Sequence, residues 1–326
     1  MYLRLKRLFD LKRSVTIYTK KKRERNLIMR EEVNTGAVIP KTAPNPTLVK
    51  LTNLWKKLIK NKSAVIGGIL IILFILIAFI GPHFTPFSPN TQNTVNKLAT
   101  PSSEHWFGTD HLGRDIFSRI IHGMSITLYV GFFSVLIGTT IGVVLGIISG
   151  YYGGKIDTVI MRLMDILLAF PGILLALAIV SVLGSSTENL IIAVGIFSIP
   201  VFARIVRGST LAVRKLEYID AIRALGANDA RIIFLHILPN VTSPIIVQAT
   251  LSIATSILTA SGLSFIGMGA QPPTPEWGAM LSDGRNYMWD APHVATIPGI
   301  AIVVVVLAFN LFGDGLRDAL DPKMKN

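Results

Sequence analysis

No cysteine occurs among the 326 residues, which excludes a disulfide framework and any thiolate-ligated metal site. Charge is scarce as well: 16% of the residues are Asp, Glu, Lys or Arg, against about 25% in an average soluble domain. Six long stretches carry none. They are Ala64–Ile80, Ile126–Ile148, the run enclosed by Asp165 and Glu188, a shorter run between Glu188 and Arg204, Ile245–Leu263 and Val294–Phe312. Helices in soluble cores rarely exceed about 14 residues without a charge. At ~1.5 Å per residue the first run alone spans about 26 Å, enough for a tilted bilayer crossing with its flanks. The pattern predicts an all-α integral membrane protein with six transmembrane helices.

Two further absences narrow the chemistry. No GxxxxGK[ST] phosphate loop is present, so the chain does not hydrolyse a nucleotide by that route, and any energy input must come from another polypeptide. Asp165 lies near the start of the third helix, and no ionisable residue sits in the middle of any run. Proton- and ion-coupled carriers need such groups at membrane depth, which disfavours that class. An enzyme is disfavoured too, since no nucleophile, base and orienting group and no metal cluster stands out.

Charge of one sign is abundant in one place only. The net charge is +13, a balance that on its own suggests nucleic acid. Residues 1–62, however, hold 17 Lys and Arg against 4 Asp and Glu, whereas residues 63–326 hold 15 of each. The excess belongs to a basic tail ahead of the first apolar run, so no nucleic-acid partner is expected. Lys56, Lys57, Lys60 and Lys62 lie close enough to that run to orient it toward the cytoplasm. The segment between the fourth and fifth helices, with Arg204, Arg207, Arg214, Lys215, Arg223 and Arg231 against Glu217, Asp220 and Asp229, is also net basic. The segment between the fifth and sixth, with Glu276, Asp283, Arg285 and Asp290, is net acidic. Six crossings with both termini cytoplasmic satisfy these balances, leaving loops at roughly 81–122 and 264–292 outside. The first run is expected to be retained as an anchor: 63 residues precede it and no small-x-small cleavage site follows it. Residues 1–28 contribute 10 basic and 2 acidic residues, and Met29 is an alternative start to Met1.

Two patterns stand out within the helices and loops. Gly138, Gly142, Gly146 and Gly150 recur every four residues, a stripe without side chains on which a second helix packs closely; a pore-lining stripe is the alternative. In residues 211–240, Leu216, Ile219, Ile222 and Leu225 fall at three-residue steps with Ala221 and Ala224 beside them, predicting an amphipathic helix. Gly226 supplies a turn, Asn228 a cap and Asp229 a charge suited to the start of a second helix, and Pro239 is expected to close it. The product is a helix-turn-helix on the cytoplasmic surface, resting on the bilayer or docking a partner.

That segment resembles the cytoplasmic coupling loop, the EAA motif, of ABC importer permeases. Asp220-Ala221-Ile222 stands at the Glu-Ala-Ala positions, Gly226 at the glycine and His236-Ile237-Leu238-Pro239 at the closing element. Its departures from the general pattern, with ALGAND and HILPN, are similar to the peptide and nickel permease subgroup. So are His105 to Asp110 (HWFGTD), Gly113 to Arg119 (GRDIFSR), Asp165 to Pro171 (DILLAFP), Leu263-Ser264-Phe265 through Gln271-Pro272-Pro273 with Trp277-Gly278, and Asn310 to Asp318 (NLFGDGLRD). The resemblance covers about residues 50–322.

The resemblance implies a C-type permease subunit of a dipeptide or oligopeptide importer in a prokaryotic plasma membrane, with nickel or another small solute as the alternative cargo. It implies a homologous second permease, two cytoplasmic ATPase subunits and an extracytoplasmic solute-binding protein as partners, with no cofactor. Tyr218, Asp220, Ala221, Arg223, Ala224, Leu225, Gly226 and Ala227 become the expected ATPase contact. The chain divides into a tail (1–62), a first helix and loop (63–122), a five-helix core (123–315) with coupling loop 211–240, and a C-terminal tail (316–326). His105, Asp110, His111 and His122 invite a metal reading, but their spacing is irregular, and no metal site is expected. The reading from a different class is a membrane-anchored scaffold or channel-like protein whose loop binds only the bilayer.

Overall fold

The computed structural model describes residues 46–320 and is helical throughout, without a strand among the described residues. The chain divides into two units, residues 1–53 and 54–326. The helix α1 (Pro46–Lys60) begins in the first, and the other helices belong to the second. Most of the basic tail, residues 1–45, with the choice between Met1 and Met29, lies outside the described residues, as do residues 321–326.

Asn61 leaves the helical region and accepts a hydrogen bond from the Ala64 amide, so it ends α1 and caps α2 (Lys62–Ile80). After an irregular segment, Asp115 caps α3 (Ile116–Tyr152) by accepting from the Ser118 amide at 2.7 Å. Two shorter helices follow, α4 (Gly154–Ala169) and α5 (Gly172–Leu183), then α6 (Thr187–Arg214), capped by Ser186. The small helices α7 (Glu217–Ala224) and α8 (Asp229–Ile232) lead through a π-helical turn, Ile233–Ile237, into α9 (Leu238–Phe265). The short α10 (Trp277–Gly284) precedes α11 (His293–Leu320).

Five of these are long and apolar enough to cross a membrane: Lys62–Phe84, Ile116–Tyr152, Thr187–Arg214, the continuous Asp229–Phe265 and His293–Leu320. The third apolar run differs from the sequence expectation. It is not a single helix starting near Asp165: α4 begins at Gly154, and α4 and α5 meet at a 90° bend. Phe170 adopts extended geometry (φ −90°, ψ 137°) ahead of Pro171, because the proline ring crowds the preceding residue out of the helical region. The sixth crossing is therefore available only as a bent pair.

Two boundaries also move. The fourth helix continues past Arg204 to Arg214, since two arginines within it have carboxylate partners on α4: Arg204 meets Asp165 at 2.5 Å, and Arg207 grips Asp157 through Nε and Nη2 at 2.6 Å each. Pro239 does not close the second small helix. The π turn widens the backbone just before it, so the proline's missing N–H falls where the ladder is already offset, and the helix runs on.

The most extensive helix pair is α3 with α6. One apolar cluster at the start of α3 joins Ile116, Ile120 and Met124 to Trp277, Met280, Ile302 and Val305. Another at its far end joins Ile147 and Tyr151 to Val206, Ile219, Ile232, Ile237 and Val241. The bundle consequently has two distinct ends, one holding residues 81–115 and 266–292, the other holding α7 and α8. At 37 residues, α3 spans about 55 Å and touches both.

Candidate functional site

Helix α7 presents two unlike faces. Ile219 is fully buried and Ile222 partly so, both in the cluster at the end of α3. Tyr218, Asp220, Ala221, Arg223 and Ala224 face outward, followed by Leu225 and Gly226; Ala227 is half-buried. The helix is shorter than its apolar spacing suggests. Leu216 and Leu225 flank it rather than extend its buried face, and Leu225 is 87% exposed. Gly226 turns the chain at φ +85°, a region costly to residues with a Cβ. Asn228 accepts from the Arg231 amide at 2.8 Å, starting α8. Ile232 then buries completely against the same cluster as Ile219. The result is a knob with an apolar root and an exposed tip at 223–226.

The root is also held by a polar centre that residue spacing did not single out. The Tyr151 hydroxyl, at the end of α3, donates to Asp229 Oδ1 at 2.6 Å and accepts from Arg223 Nη2 at 3.3 Å. The guanidinium carbons of Arg214 and Arg223 lie 5.9 and 5.8 Å from the centroid of its ring, within cation–π range. One buried tyrosine thus joins α3 to the end of α6 and to both helices of the knob. Nearby, Asp157 of α4 takes Arg207 of α6 bidentately and accepts a short hydrogen bond from Ser149 of α3. Tyr218 accepts from Asn240 Nδ2 at 3.2 Å, tying the knob to α9. The partners of Tyr151 lie 72 and 78 residues from it, so no local periodicity signals them.

Tyr151→Phe removes the shared hydroxyl and keeps the ring. Each hydrogen bond to a charged group contributes about 1.5–3 kcal/mol, so amide exchange across 217–232 is expected to speed up by at least about tenfold, while residues 254–264 of α9 keep their protection. Hydrogen-exchange mass spectrometry checks it.

Beside the knob, α6, α9 and α11 enclose an open cleft of about 690 Å³ lined by Ile205, Asn240, Ser243, Val247, Gln248 and Arg317, among others. Along the middle of α3, the four-residue glycine stripe lies directly on α6. A Cβ at Gly138, Gly142, Gly146 or Gly150 would come within 2.5–2.8 Å of Ser198, Phe202, Ala203 or Thr210.

The opposite end is a folded cap rather than a loose loop. Asp110 accepts from the Arg114 amide at 3.0 Å and from Arg114 Nε at 2.6 Å; Arg114 also reaches Asp283 at 3.3 Å. Arg119 donates to the Pro89 carbonyl at 2.9 Å, and Trp277 to the Ile120 carbonyl at 3.0 Å. Glu276 accepts from the Gly278 and Ala279 amides, capping α10; burial pushes its carboxyl above the usual range, against the pull of those amides. The four residues considered for metal binding are engaged separately. His105 contacts Asp115 at 2.9 Å, Asp110 holds Arg114, His111 stacks on Tyr287 and His122 bonds the Ser118 carbonyl of its own helix. No group of three His, Asp or Glu suited to a metal ion occurs among the described residues.

Residues 142–326 match the family described as binding-protein-dependent transport system inner membrane component, and residues 51–101 match the N-terminal transmembrane domain of oligopeptide transport permease C. Over 273 residues the chain is 53% identical to the glutathione transport system permease protein GsiD of Pectobacterium atrosepticum, covering 83% of this chain and 91% of that one. Over 272 residues it is 54% identical to the dipeptide transport system permease protein DppC of Alkalihalophilus pseudofirmus, covering 83% and 90%. GsiD of Escherichia coli O157:H7 is 50% identical over 288 residues, covering 88% and 95%. In fold, the chain is similar to the inward-facing MetNI methionine ABC transporter in two crystal forms. The TM-scores are 0.52 and 0.50, with 20% and 19% identity, 63% and 62% of this chain covered, and 98% and 97% of those chains.

Proposed function

The chain belongs to the family of binding-protein-dependent transport system inner membrane components, and from that membership we propose that it forms one half of the translocation path of an ATP-driven importer of dipeptides and oligopeptides. It is a multi-pass permease of the prokaryotic cell membrane. A homologous permease completes the path, two cytoplasmic ATPase subunits drive it, and an extracytoplasmic binding protein delivers the cargo. ATP is hydrolysed on the ATPases, in keeping with the lack of a phosphate loop here. Both relatives at 53–54% identity carry names of short-peptide systems, which favours peptide over nickel.

In this reading both termini and the knob are cytoplasmic, and the cap built from 81–115 and 266–292 is extracytoplasmic. The basic balance around α7 and the lysines of 56–62 support that orientation. Tyr218, Asp220, Ala221, Arg223, Ala224, Leu225, Gly226 and Ala227 form the ATPase contact, with Leu225 as its apolar tip. The observation that carries the coupling assignment is the build of the knob: an exposed tip on a root locked into α3 by Ile219, Ile232 and Tyr151. A push on the tip cannot be absorbed locally and displaces a helix that reaches the extracytoplasmic cap. ATP binding then biases a two-state equilibrium between inward- and outward-open arrangements. The cleft with Asn240, Ser243, Gln248 and Arg317 supplies polar groups to the cytoplasmic part of the path.

Proteoliposomes holding the complete system are the test. With ATP inside and binding protein outside, they are expected to accumulate labelled dipeptides and longer peptides, and to lose that uptake when this subunit is omitted. Uptake of Ni²⁺ with none of any peptide replaces the peptide assignment with the metal.

A further inference from the structure

The junction between α1 and α2 carries features beyond the part its lysines play in orienting the first span. At the end of α1, Trp55 and Ile59 are one helical turn apart and share a side, 65% and 55% exposed. Lys56 and Lys60 form the adjoining stripe, and Lys57 lies behind them toward α11. Lys57 and Lys60 line a cleft of about 320 Å³ with Asn61, Asp318 and Ala319. Its floor is fixed by two hydrogen bonds: Lys57 Nζ to the Ala319 carbonyl at 3.4 Å and Asn61 Nδ2 to Asp318 Oδ2 at 3.1 Å. Asp318 is the one carboxylate in the lining and is engaged by Asn61. None of Lys56, Lys57, Lys60 and Lys62 has an ion-pair partner among the described residues. Beyond the cleft, α2 packs on α11 through Ala64 and Gly67 and turns Ile66, Ile69 and Ile72 outward, each more than half exposed.

We propose that this cleft is a binding site for an anionic phospholipid, with the phosphate headgroup between Lys57 and Lys60, Trp55 and Ile59 at the headgroup–acyl boundary, and the acyl chains along Ile66, Ile69 and Ile72. Three observations on different residues converge. The ammonium groups, none of them in an ion pair among the described residues, select a negative ligand. The exposed tryptophan on the same helical turn as these lysines belongs at a membrane–water interface, where its ring is apolar and its N–H wet. The exposed isoleucines of α2, on the helix that begins directly after Asn61, offer acyl chains a hydrocarbon surface. A soluble anion satisfies only the first of these. Basic pockets between helices on the cytoplasmic side favour lipid headgroups for the same reasons. The site is read independently of cargo, so it stands or falls separately from the peptide assignment.

The assembled complex is reconstituted into nanodiscs of phosphatidylcholine alone or with phosphatidylglycerol, released, and its retained lipids counted by native mass spectrometry. The parent complex is expected to retain phosphatidylglycerol over phosphatidylcholine. The Lys57→Gln/Lys60→Gln double variant is expected to retain it about thirtyfold more weakly, equivalent to ~1 kcal/mol for each lysine. Lys215→Gln, an exposed lysine outside the cleft, is expected to match the parent. A phosphatidylglycerol that carries bromine on its acyl chains is expected to quench a share of the fluorescence that disappears in Trp55→Phe. Equal retention in parent and double variant, or no preference between the two headgroups, overturns the proposal. So does protection of Lys60 from amine labelling in delipidated complex, which would assign the cleft to another subunit.

Discussion

Replacing Gly226 with proline is expected to leave the importer assembled in the membrane and to cut ATP-driven uptake by about a hundredfold. The backbone at this position sits at φ +85°, and the proline ring holds φ near −65°. The turn between α7 and α8 therefore cannot form as it stands, and the Gly226 amide that donates to the Arg223 carbonyl is lost with it; on the scale of the ~3 kcal/mol that proline costs inside a helix, the population that docks falls by roughly two powers of ten. The change lies at an exposed tip, with nothing within 4 Å of a Cβ added there, so folding of the helical bundle is not at stake. Gly226→Asn is the informative companion, because asparagine tolerates positive φ, and most of the uptake should survive. A bulky residue at exposed Ala224, such as Ala224→Trp, should act on the contact itself and lower uptake without disturbing the turn. Co-purification of the ATPase subunits and peptide uptake in proteoliposomes measure the two effects. Parental uptake in both Gly226→Pro and Ala224→Trp removes the coupling assignment.

The residues differ in how openly the sequence declares them. Long uncharged runs declare helices because an uncompensated charge at membrane depth is costly, so absence itself is a signal. The turn at Gly226 and the cap at Asn228 follow from side-chain chemistry at single positions, visible without any partner. The bend between α4 and α5 is signalled by Phe170-Pro171, yet the apolar run continues across it, and hydropathy is blind to direction. Pro239 misleads for the opposite reason: proline stops a regular α-helix, and the π turn before it removes the conflict. Tyr151 is not legible at all. Its partners come from distant stretches that meet only after α3 and α6 have packed, and an apolar run ending in Tyr151-Tyr152 looks like an interfacial anchor. Leu225 shows the limit of periodicity in the other direction, since it completes an apolar spacing but projects into solvent.

Gly142→Val should have the largest effect on stability, lowering it by about 3 kcal/mol, at the upper end of the usual penalty for forcing extra carbon atoms into a packed interface. A Cβ at Gly142 would lie 2.5 Å from Phe202 Cβ, 2.8 Å from the Ile199 carbonyl oxygen and 3.1 Å from the Ala203 amide nitrogen. Two of these are backbone atoms of α6 and cannot step aside, so the helices must separate, and valine's two methyl groups widen the gap further. Within a bilayer, helices attract mainly through close packing rather than exclusion of water, so looser packing along the stripe is not offset by burial elsewhere. Gly208→Ala is the control: a Cβ there meets nothing within 4 Å, and filling a glycine in a helix should be neutral or gain up to about 1 kcal/mol. Thermal unfolding of the purified subunit pair in detergent distinguishes them. Equal midpoints for Gly142→Val and Gly208→Ala would show that α3 and α6 are not rigidly joined. The transport reading needs that joint, because the knob is rooted in α3 and α6 together, and only helices that move as one body carry a push at Leu225 to the other face of the membrane.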